Sequence, residues 1–156
     1  MLEKYGAPAE ATPTRLIWFN NGPWKRTIIL KEETPHNFPM PHMDVMEQVI
    51  NYRVPPDKFD NLARYDGSVI VERTRGEMSA RCDKEEANFL ALNLAHDIIS
   101  GRRGVVAARE FYAEQIQELM AGRKGPYVTG LIFDVPRGNV GFRDRALIGR
   151  QSANER

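Results

Sequence analysis

The chain has 156 residues, and its 42% hydrophobic and 28% charged content is typical of one globular domain with a single core. Lysine and arginine number 22 against 21 acidic residues, so a net charge of +1 gives no overall field for binding nucleic acid or an anionic membrane. A single cysteine excludes an intramolecular disulfide, and no apolar run of about 18 residues predicts a transmembrane helix. We therefore expect a soluble, cytoplasmic protein.

The two ends of the chain differ in composition from its centre. Residues 1–14 hold glycine and two prolines among alanines and charges, which predicts an N-terminal arm. Residues 137–156 hold five arginines against two acidic residues and predict a basic C-terminal tail. Residues 15–136 are expected to form a single α+β domain.

The first predicted element of this domain is a β-hairpin. Residues 16–19 and 24–30 are rich in aromatic and β-branched side chains, and Asn20-Asn21-Gly22-Pro23 between them is typical of a tight turn. The simplest register places Phe19 opposite Trp24. Because side chains alternate along strands, both faces of this hairpin carry apolar groups and both need cover.

Further strands are predicted from hydrophobic residues bounded by turn signals. These strands are residues 45–54, 68–73, 77–82 and 127–135. The second and third of them form a hairpin, and its expected register places Val69 opposite Cys82. The thiol of Cys82 should then point into the core.

Three helices complete the predicted fold. A short one lies between Pro55 and Gly67, and apolar residues at helical spacing predict two longer ones at about 83–100 and 105–121. Asp83 and Glu86 have the spacing of a capping box. The predicted fold class is therefore α+β: a mainly antiparallel sheet, built from two hairpins and further strands, packed against an antiparallel helix pair.

The segment Thr34–Asp44 holds two of the three histidines and three of the ten prolines. In a polyproline II conformation, at about 3.1 Å per residue, His36 and His42 would lie roughly 19 Å apart. His42 and Asp44 would project from one face of an extended chain about 6 to 7 Å apart, with Glu47 as a weaker third member. The alternative is a proline-stiffened loop whose histidines are structural.

His96 lies on an apolar stripe of the first long helix, next to Asp97. One hypothesis is that His96 meets His42 and Asp44 across the sheet, with Asp97 orienting an imidazole. Two histidines and an acid could hold Zn, Mn or Fe and leave positions for water, as metal-assisted hydrolysis or oxidation requires. The alternative is a buried structural histidine.

Two classes of function follow. The candidate ligand-binding residues are Trp18, Trp24, His36, Phe38 and Met40. They favour a non-catalytic protein that forms a homo-oligomer, expected to be a dimer, or that binds a partner or a small apolar ligand. The second class is a metal-dependent or general acid/base enzyme, with His42, Asp44 and His96 as catalytic residues and metal ligands. The two-faced hairpin makes the first class the preferred hypothesis.

Overall fold

The computed structural model describes residues 1–149. Its strands are β1 (Glu10–Ala11), β2 (Arg15–Asn21), β3 (Trp24–His36), β4 (His42–Asn51), β5 (Val69–Glu72) and β6 (Glu77–Cys82). They form one sheet in the order β1-β2-β3-β4-β6-β5, and every neighbouring pair is antiparallel. The helices are α1 (Leu2–Tyr5), α2 (Phe59–Tyr65), α3 (Glu85–Ser100), α4 (Val105–Met120) and α5 (Pro126–Thr129), and a 3₁₀ turn covers Pro56–Lys58. Within residues 1–149, no helix has the length and apolar character needed to cross a membrane.

The predicted α+β class is confirmed: helices pack on an antiparallel sheet. The α3 helix contacts β4 and β6 on one side and α4 and α5 on the other. Eleven of its 16 residues are buried, as expected of a helix enclosed on nearly all sides. It ends, as predicted, at Gly101, whose φ of 79° is the left-handed conformation that glycine adopts without steric cost. This central helix organises the core above the sheet.

The predicted register of the first hairpin is wrong. Asn21 pairs with Trp24 and Phe19 pairs with Arg26, so the turn has only two residues, Gly22 and Pro23. A φ of 70° at Gly22 suits such a short turn. Trp24 is directed toward the helices and buried, whereas Phe19 is 48% exposed on the opposite face.

The second hairpin is displaced by two residues from its predicted register. Val69 pairs with Ala80 rather than Cys82, because Glu72 pairs with Glu77 and leaves a four-residue turn. A shift of two residues keeps each side chain on its face of the sheet, since side chains alternate with a period of two. Cys82 is therefore buried, as predicted.

The capping box predicted at Asp83 does not form. Lys84 is the N-cap residue of α3 and makes no side-chain capping bond. The carboxylate of Asp83 instead accepts a hydrogen bond from the thiol of Cys82 at 3.4 Å, and Glu86 pairs with Lys124 at 3.3 Å. Asp83 thus bonds to its chain neighbour and Glu86 to a distant lysine, and neither acid caps the free amides of the helix.

The strand predicted at residues 127–135 is also wrong. Its first residues form α5, and the rest has no regular structure. The buried side chain of Asn93 donates to the carbonyls of Tyr127 and Gly130, at 3.0 and 2.8 Å, and accepts from the amide of Ile132 at 2.8 Å. These bonds satisfy backbone groups that a neighbouring strand would otherwise satisfy.

Parts of both predicted flanking segments contact the domain. At the N-terminus, β1 pairs with β2. Near the C-terminus, Phe142 lies between the guanidinium groups of Arg53 and Arg73, and its amide donates to the carbonyl of Arg73 at 3.0 Å. The last two arginines of the predicted basic tail, Arg150 and Arg156, lie outside the described residues.

Candidate metal site

His36 and His42 lie directly opposite each other, at the ends of β3 and β4. Their ring centroids are 4.9 Å apart. The expected separation of roughly 19 Å in an extended segment is wrong, because the connection of residues 37–41 reverses the direction of the chain. The Phe38–Pro39 peptide bond in this connection is cis. The histidine and proline segment is therefore a hairpin that brings its two imidazoles together.

Asp44 lies beneath the two rings, on the same face of the sheet. Its Oδ1 is 3.0 Å from Nε2 of His42, and its Oδ2 is 3.4 Å from Nδ1 of His36. The carboxylate is fully buried, whereas the side chains of His36 and His42 are 17% and 12% exposed. The predicted His42 and Asp44 pair is therefore present, with the rings between the carboxylate and solvent.

The outer nitrogen of each imidazole faces an acceptor. Nδ1 of His42 donates to the carbonyl of Met40 at 2.8 Å, because a carbonyl can only accept. Nε2 of His36 lies 3.5 Å from Oδ1 of Asp66. A neutral imidazole that donates from one nitrogen has a lone pair on the other. The second nitrogen of each ring lies beside Asp44, so in the tautomer that donates from the outer nitrogen its lone pair would be available to a cation.

One ion fits the spacing of these groups. One ligand atom from each of His36, His42 and Asp44 lies within 4.8 Å of the other two. Ligands bound to a single ion at about 2.0 to 2.2 Å lie within about 4.4 Å of one another, so small side-chain adjustments suffice. Within residues 1–149, no second group of three His, Cys, Asp or Glu side chains meets this criterion.

Ser68 and Asp66 support the site from the segment before β5. The hydroxyl of Ser68 donates to Oδ2 of Asp44, and its amide donates to Oδ1 of Asp66 at 2.8 Å. Burial raises the pKa of Asp66, and the Ser68 amide and His36 partly offset this effect. Sequence reasoning missed both residues, since an Asp-Gly-Ser segment after a helix is indistinguishable from an ordinary turn.

Ser68, His36 and Asp66 form a serine–histidine–aspartate chain of contacts, as a catalytic triad does. Their geometry is nevertheless unsuited to nucleophilic catalysis. The hydroxyl of Ser68 is 3.3 Å from Nδ1 of His36, yet Ser68 is only 4% exposed and donates to Asp44. A serine nucleophile needs access to its substrate and a base that accepts its proton. Ser68 is therefore assigned a positioning role.

His96 does not join His42 and Asp44, which corrects the predicted ligand set. Its Nδ1 lies 2.7 Å from the hydroxyl of Tyr52, and its ring stacks on Phe133 at 4.3 Å. Tyr52 follows the far end of β4, ten residues from His42, which corresponds to roughly 30 Å along a strand. Burial lowers the pKa of His96. His36 occupies the place that was expected for His96.

The supporting acids named from the sequence lie elsewhere. Glu47 pairs with Ile28 and Arg81 on the opposite face of the sheet from Asp44. Asp97 is fully buried, and its Oδ2 accepts hydrogen bonds from Arg103 and from the hydroxyl of Tyr127. Neither carboxylate is positioned to orient an imidazole of the cluster.

Two of the apolar candidates are core residues, and the other two lie near the histidines. Trp18 and Trp24 are 3% and 1% exposed, and their indole nitrogens donate to the carbonyl of Gly6 and to Glu85. Phe38 packs on Tyr112 with ring centroids 5.0 Å apart. Met40 is 44% exposed. The two tryptophans are thus core residues, and Phe38 and Met40 lie near the histidines.

A cavity of about 200 Å³ lies beside His42. Its wall is formed by Pro39, Met40, Pro41, His42, Cys82, Asp83, Lys84, Ala87, Tyr112, Ile116 and Met120. Burial raises the pKa of the Cys82 thiol to about 12, so it is a neutral part of this wall rather than a nucleophile. The imidazole of His42 is shared between the cavity and the cluster.

Comparison of the chain with models of protein families, with characterised proteins and with solved structures found no match. Its function is accordingly inferred from the chemistry and geometry of the site.

Proposed function

We propose that the protein binds one divalent transition metal ion through His36, His42 and Asp44 and uses it for metal-dependent hydrolysis of a small molecule. One observation carries this proposal: a nitrogen of each imidazole and a buried carboxylate oxygen lie within 4.8 Å of one another. The outer nitrogens of the two rings face Met40 and Asp66, the arrangement that fixes the orientation of metal-ligating histidines.

The donor set favours particular ions. Two imidazole nitrogens and one carboxylate oxygen suit Zn, Mn or Fe, and a site with three protein ligands has open positions for water. A bound ion lowers the pKa of that water and so supplies hydroxide near neutral pH. Hydrolysis needs no further co-reactant, which makes it the reaction class of choice here.

The competing arrangement is a proton on Nε2 of His42, which forms an ion pair with Asp44 at 3.0 Å and leaves no ligand atom for a metal. Titration of EDTA-treated protein with CoCl₂, followed by visible absorption, separates the two cases. We expect one equivalent of cobalt to bind. His36→Ala, His42→Ala and Asp44→Ala should each weaken binding at least about 100-fold, because each removes one of three ligands.

His96→Ala is the matched control, since it removes the one histidine outside the cluster. It should bind cobalt like the unmodified protein. Failure of the unmodified protein to bind cobalt, or an equal loss in His96→Ala, would contradict the proposal.

We also propose a homodimer, because one face of the sheet has exposed apolar side chains opposite the helices. Phe19, Met43 and Ile70 on this face are 48%, 43% and 38% exposed. The same face carries charges of both signs, including the Arg26 and Glu77 pair, so a second copy related by a two-fold axis can offer complementary groups.

Sedimentation velocity tests this assembly. We expect a dimer for the unmodified protein and a monomer for Ile70→Lys, which places a charge in the apolar patch. Val106→Lys is the control, since Val106 is 69% exposed but lies on α4. A monomeric unmodified protein, or equal dissociation by both variants, would contradict the dimer.

The expected cytoplasmic location is likewise a proposal. Its support is that the chain has one cysteine, whose thiol is buried and reduced. Fractionation of the native cell with an antibody to the protein tests it, and recovery in a secreted or membrane fraction would contradict it.

A further inference from the structure

The cavity beside His42 has room for one ring with a short substituent. Its volume is about 200 Å³, and an apolar cavity of about 150 Å³ holds benzene. A nucleotide or a peptide is too large for this space. The cavity therefore takes molecules of about eight to ten non-hydrogen atoms.

The two charged side chains of the cavity wall offset each other. Asp83 and Lys84 are neighbours in the chain, and both are exposed. An ion of either sign meets one attractive and one repulsive group there, and it loses hydration when it enters an apolar space. The thiol of Cys82 is neutral because burial raises its pKa to about 12. The wall therefore favours a neutral ligand.

Most of the remaining wall is apolar and adaptable. Met40 and Met120 are 44% and 65% exposed, while Tyr112 and Ile116 lie deeper. Methionine sulfur makes favourable contacts with aromatic rings, and its flexible side chain follows their shape. The ring of Tyr112 adds an aromatic partner. An aromatic ring is therefore the apolar group that suits this wall.

The wall also limits the polar group that a ligand can carry. A substrate of the proposed site needs a bond that water can break, and neutral esters and amides both contain one. An amide adds an N–H donor that needs an acceptor, whereas an ester has acceptors only and loses less on leaving water. An ester is therefore the hydrolysable group that enters this apolar space at the lower cost.

We infer that the substrates of the site are small neutral esters that carry an aromatic ring, an assignment that rests on the function proposed above. The ring lies against Met40, Ile116 and Tyr112, and the ester group lies beside His42, which is both a wall of the cavity and a proposed metal ligand.

Hydrolysis of such an ester needs water alone as co-reactant. The oxygen of water forms a bond to the carbonyl carbon, the bond from this carbon to the ester oxygen breaks, and the leaving oxygen takes a proton from the attacking water. The products are an alcohol or phenol and a carboxylic acid, which releases its proton to solvent. The carboxylate is charged, so the apolar cavity does not retain it.

Phenylacetone is the probe that tests binding. It is neutral and has the shape of phenyl acetate, with a methylene group in place of the ester oxygen, so it cannot be hydrolysed. Titration of metal-free, ¹⁵N-labelled protein should shift the amide resonances of the cavity residues, with a dissociation constant on the order of millimolar for so small a ligand. Benzoate and benzylamine, which are charged at neutral pH, should bind at least about fivefold more weakly.

The offsetting charges are tested one at a time. Lys84→Gln leaves the acid unopposed and should strengthen benzylamine binding about twofold or more, and Asp83→Asn should do the same for benzoate. Neither variant should change the affinity for phenylacetone. Binding of both ions that is unchanged in these variants would show that the charge pair does not select the ligand.

The apolar wall is tested by two methionines of equal exposure. Met40 lines the cavity and is 44% exposed, whereas Met43 is 43% exposed on the opposite face of the sheet. Met40→Ala should weaken phenylacetone binding about threefold or more, because it removes contacts with the ring. Met43→Ala should leave the affinity unchanged.

Phenyl acetate tests the reaction. Protein loaded with one equivalent of cobalt should release phenol over many turnovers, measured by chromatography, and metal-free protein should not. Met40→Ala should lower kcat/KM about threefold or more while its cobalt affinity is unchanged.

The outcomes separate the two proposals. Cobalt binding without phenylacetone binding, tighter binding of either ion than of phenylacetone, or equal effects of Met40→Ala and Met43→Ala would overturn the substrate class and leave the metal site intact. Cobalt-loaded protein that binds phenylacetone but releases no phenol would overturn it too. Phenylacetone binding that depends on Met40, in a protein that binds no cobalt, would support the cavity's ligand class and overturn the metal-dependent function.

Discussion

His36 and His42 are paired across β3 and β4, with ring centroids 4.9 Å apart and the buried carboxylate of Asp44 in contact with both. β4 pairs with β6 only from Met46 onward. The two histidines lie in the part of the β3–β4 hairpin that extends beyond this pairing. The end of a hairpin thus holds the donor atoms, and the segment before β5 holds the groups that orient them. Such supporting groups are the first to test.

Asp66 should act as a positioning residue for His36. Asp66→Asn removes the negative acceptor that faces Nε2 of His36, and we expect cobalt affinity to fall about 10- to 100-fold. The visible spectrum at saturating cobalt should keep its shape, because all three ligands are still present. Asp60→Asn, which alters a surface acid paired with Arg64, is the control. Equal affinities of the two variants would show that Asp66 has no such role.

Glu77 should make stability depend on pH in the acid range. Arg26 bonds to its carboxylate at 2.8 and 2.9 Å, Lys25 adds a second cation at 2.8 Å, and the pKa of Glu77 falls from 4.5 to about 2. A pKa that is lower in the folded state stabilises the fold above pH 4.5, and this contribution is lost as the pH falls toward 2.

Glu77→Gln should therefore cost about 1 to 2 kcal/mol at pH 7, a value discounted for solvent screening because Lys25 and Arg26 are partly exposed. Its free energy of unfolding in urea should also vary less between pH 4.5 and pH 2 than that of the unmodified protein. Glu32→Gln, at an exposed position of β3, should leave the pH profile unchanged. Parallel profiles for all three proteins would contradict the assignment.

Glu85 should be far more important for stability than its neighbour Glu86. Its carboxylate accepts from the indole of Trp24 at 3.2 Å, from Gln48 at 3.0 Å and from the hydroxyl of Tyr5 at 3.0 Å. Glu85→Ala removes the acceptor of the Trp24 indole and the Tyr5 hydroxyl and leaves the Gln48 amide only Thr27, and we expect a loss of about 2 to 4 kcal/mol in urea unfolding. Glu86→Ala should cost less than about 1 kcal/mol, because it breaks one surface ion pair.

Gly141 should be needed to hold the C-terminal segment on the domain. A Cβ at this position would lie 2.1 Å from the carbonyl oxygen of Thr74, so the backbone must move. Gly141→Ala should displace Phe142 from the two guanidinium groups and increase tryptic cleavage after Arg143 about tenfold or more. In Gly130→Ala the added Cβ has no atom within 4 Å, and cleavage should not change.

The sequence by itself determined the elements whose signal is local. Apolar residues at helical spacing predict α3 and α4, because the residues of one helix face recur every three or four positions along the chain. Gly101 marks the end of α3. The alternation of side chains along the strand likewise predicts that Cys82 is buried. This prediction holds although the pairing register is shifted by two residues, because such a shift keeps Cys82 on the same face of the sheet. The pairing of His42 with Asp44 is local as well, since two residues separate them.

Only the tertiary structure decided which groups meet. Prolines around His36 and His42 are compatible with an extended segment or with a tight connection, and pairing between two long strands selects the second. His96 has the helical spacing of a core residue wherever its helix lies, so its distance from Asp44 depends on how α3 crosses the sheet. Asp66 and Ser68 reach the site through strand pairing that no local pattern encodes, because contacts between distant residues are fixed by packing rather than by propensity.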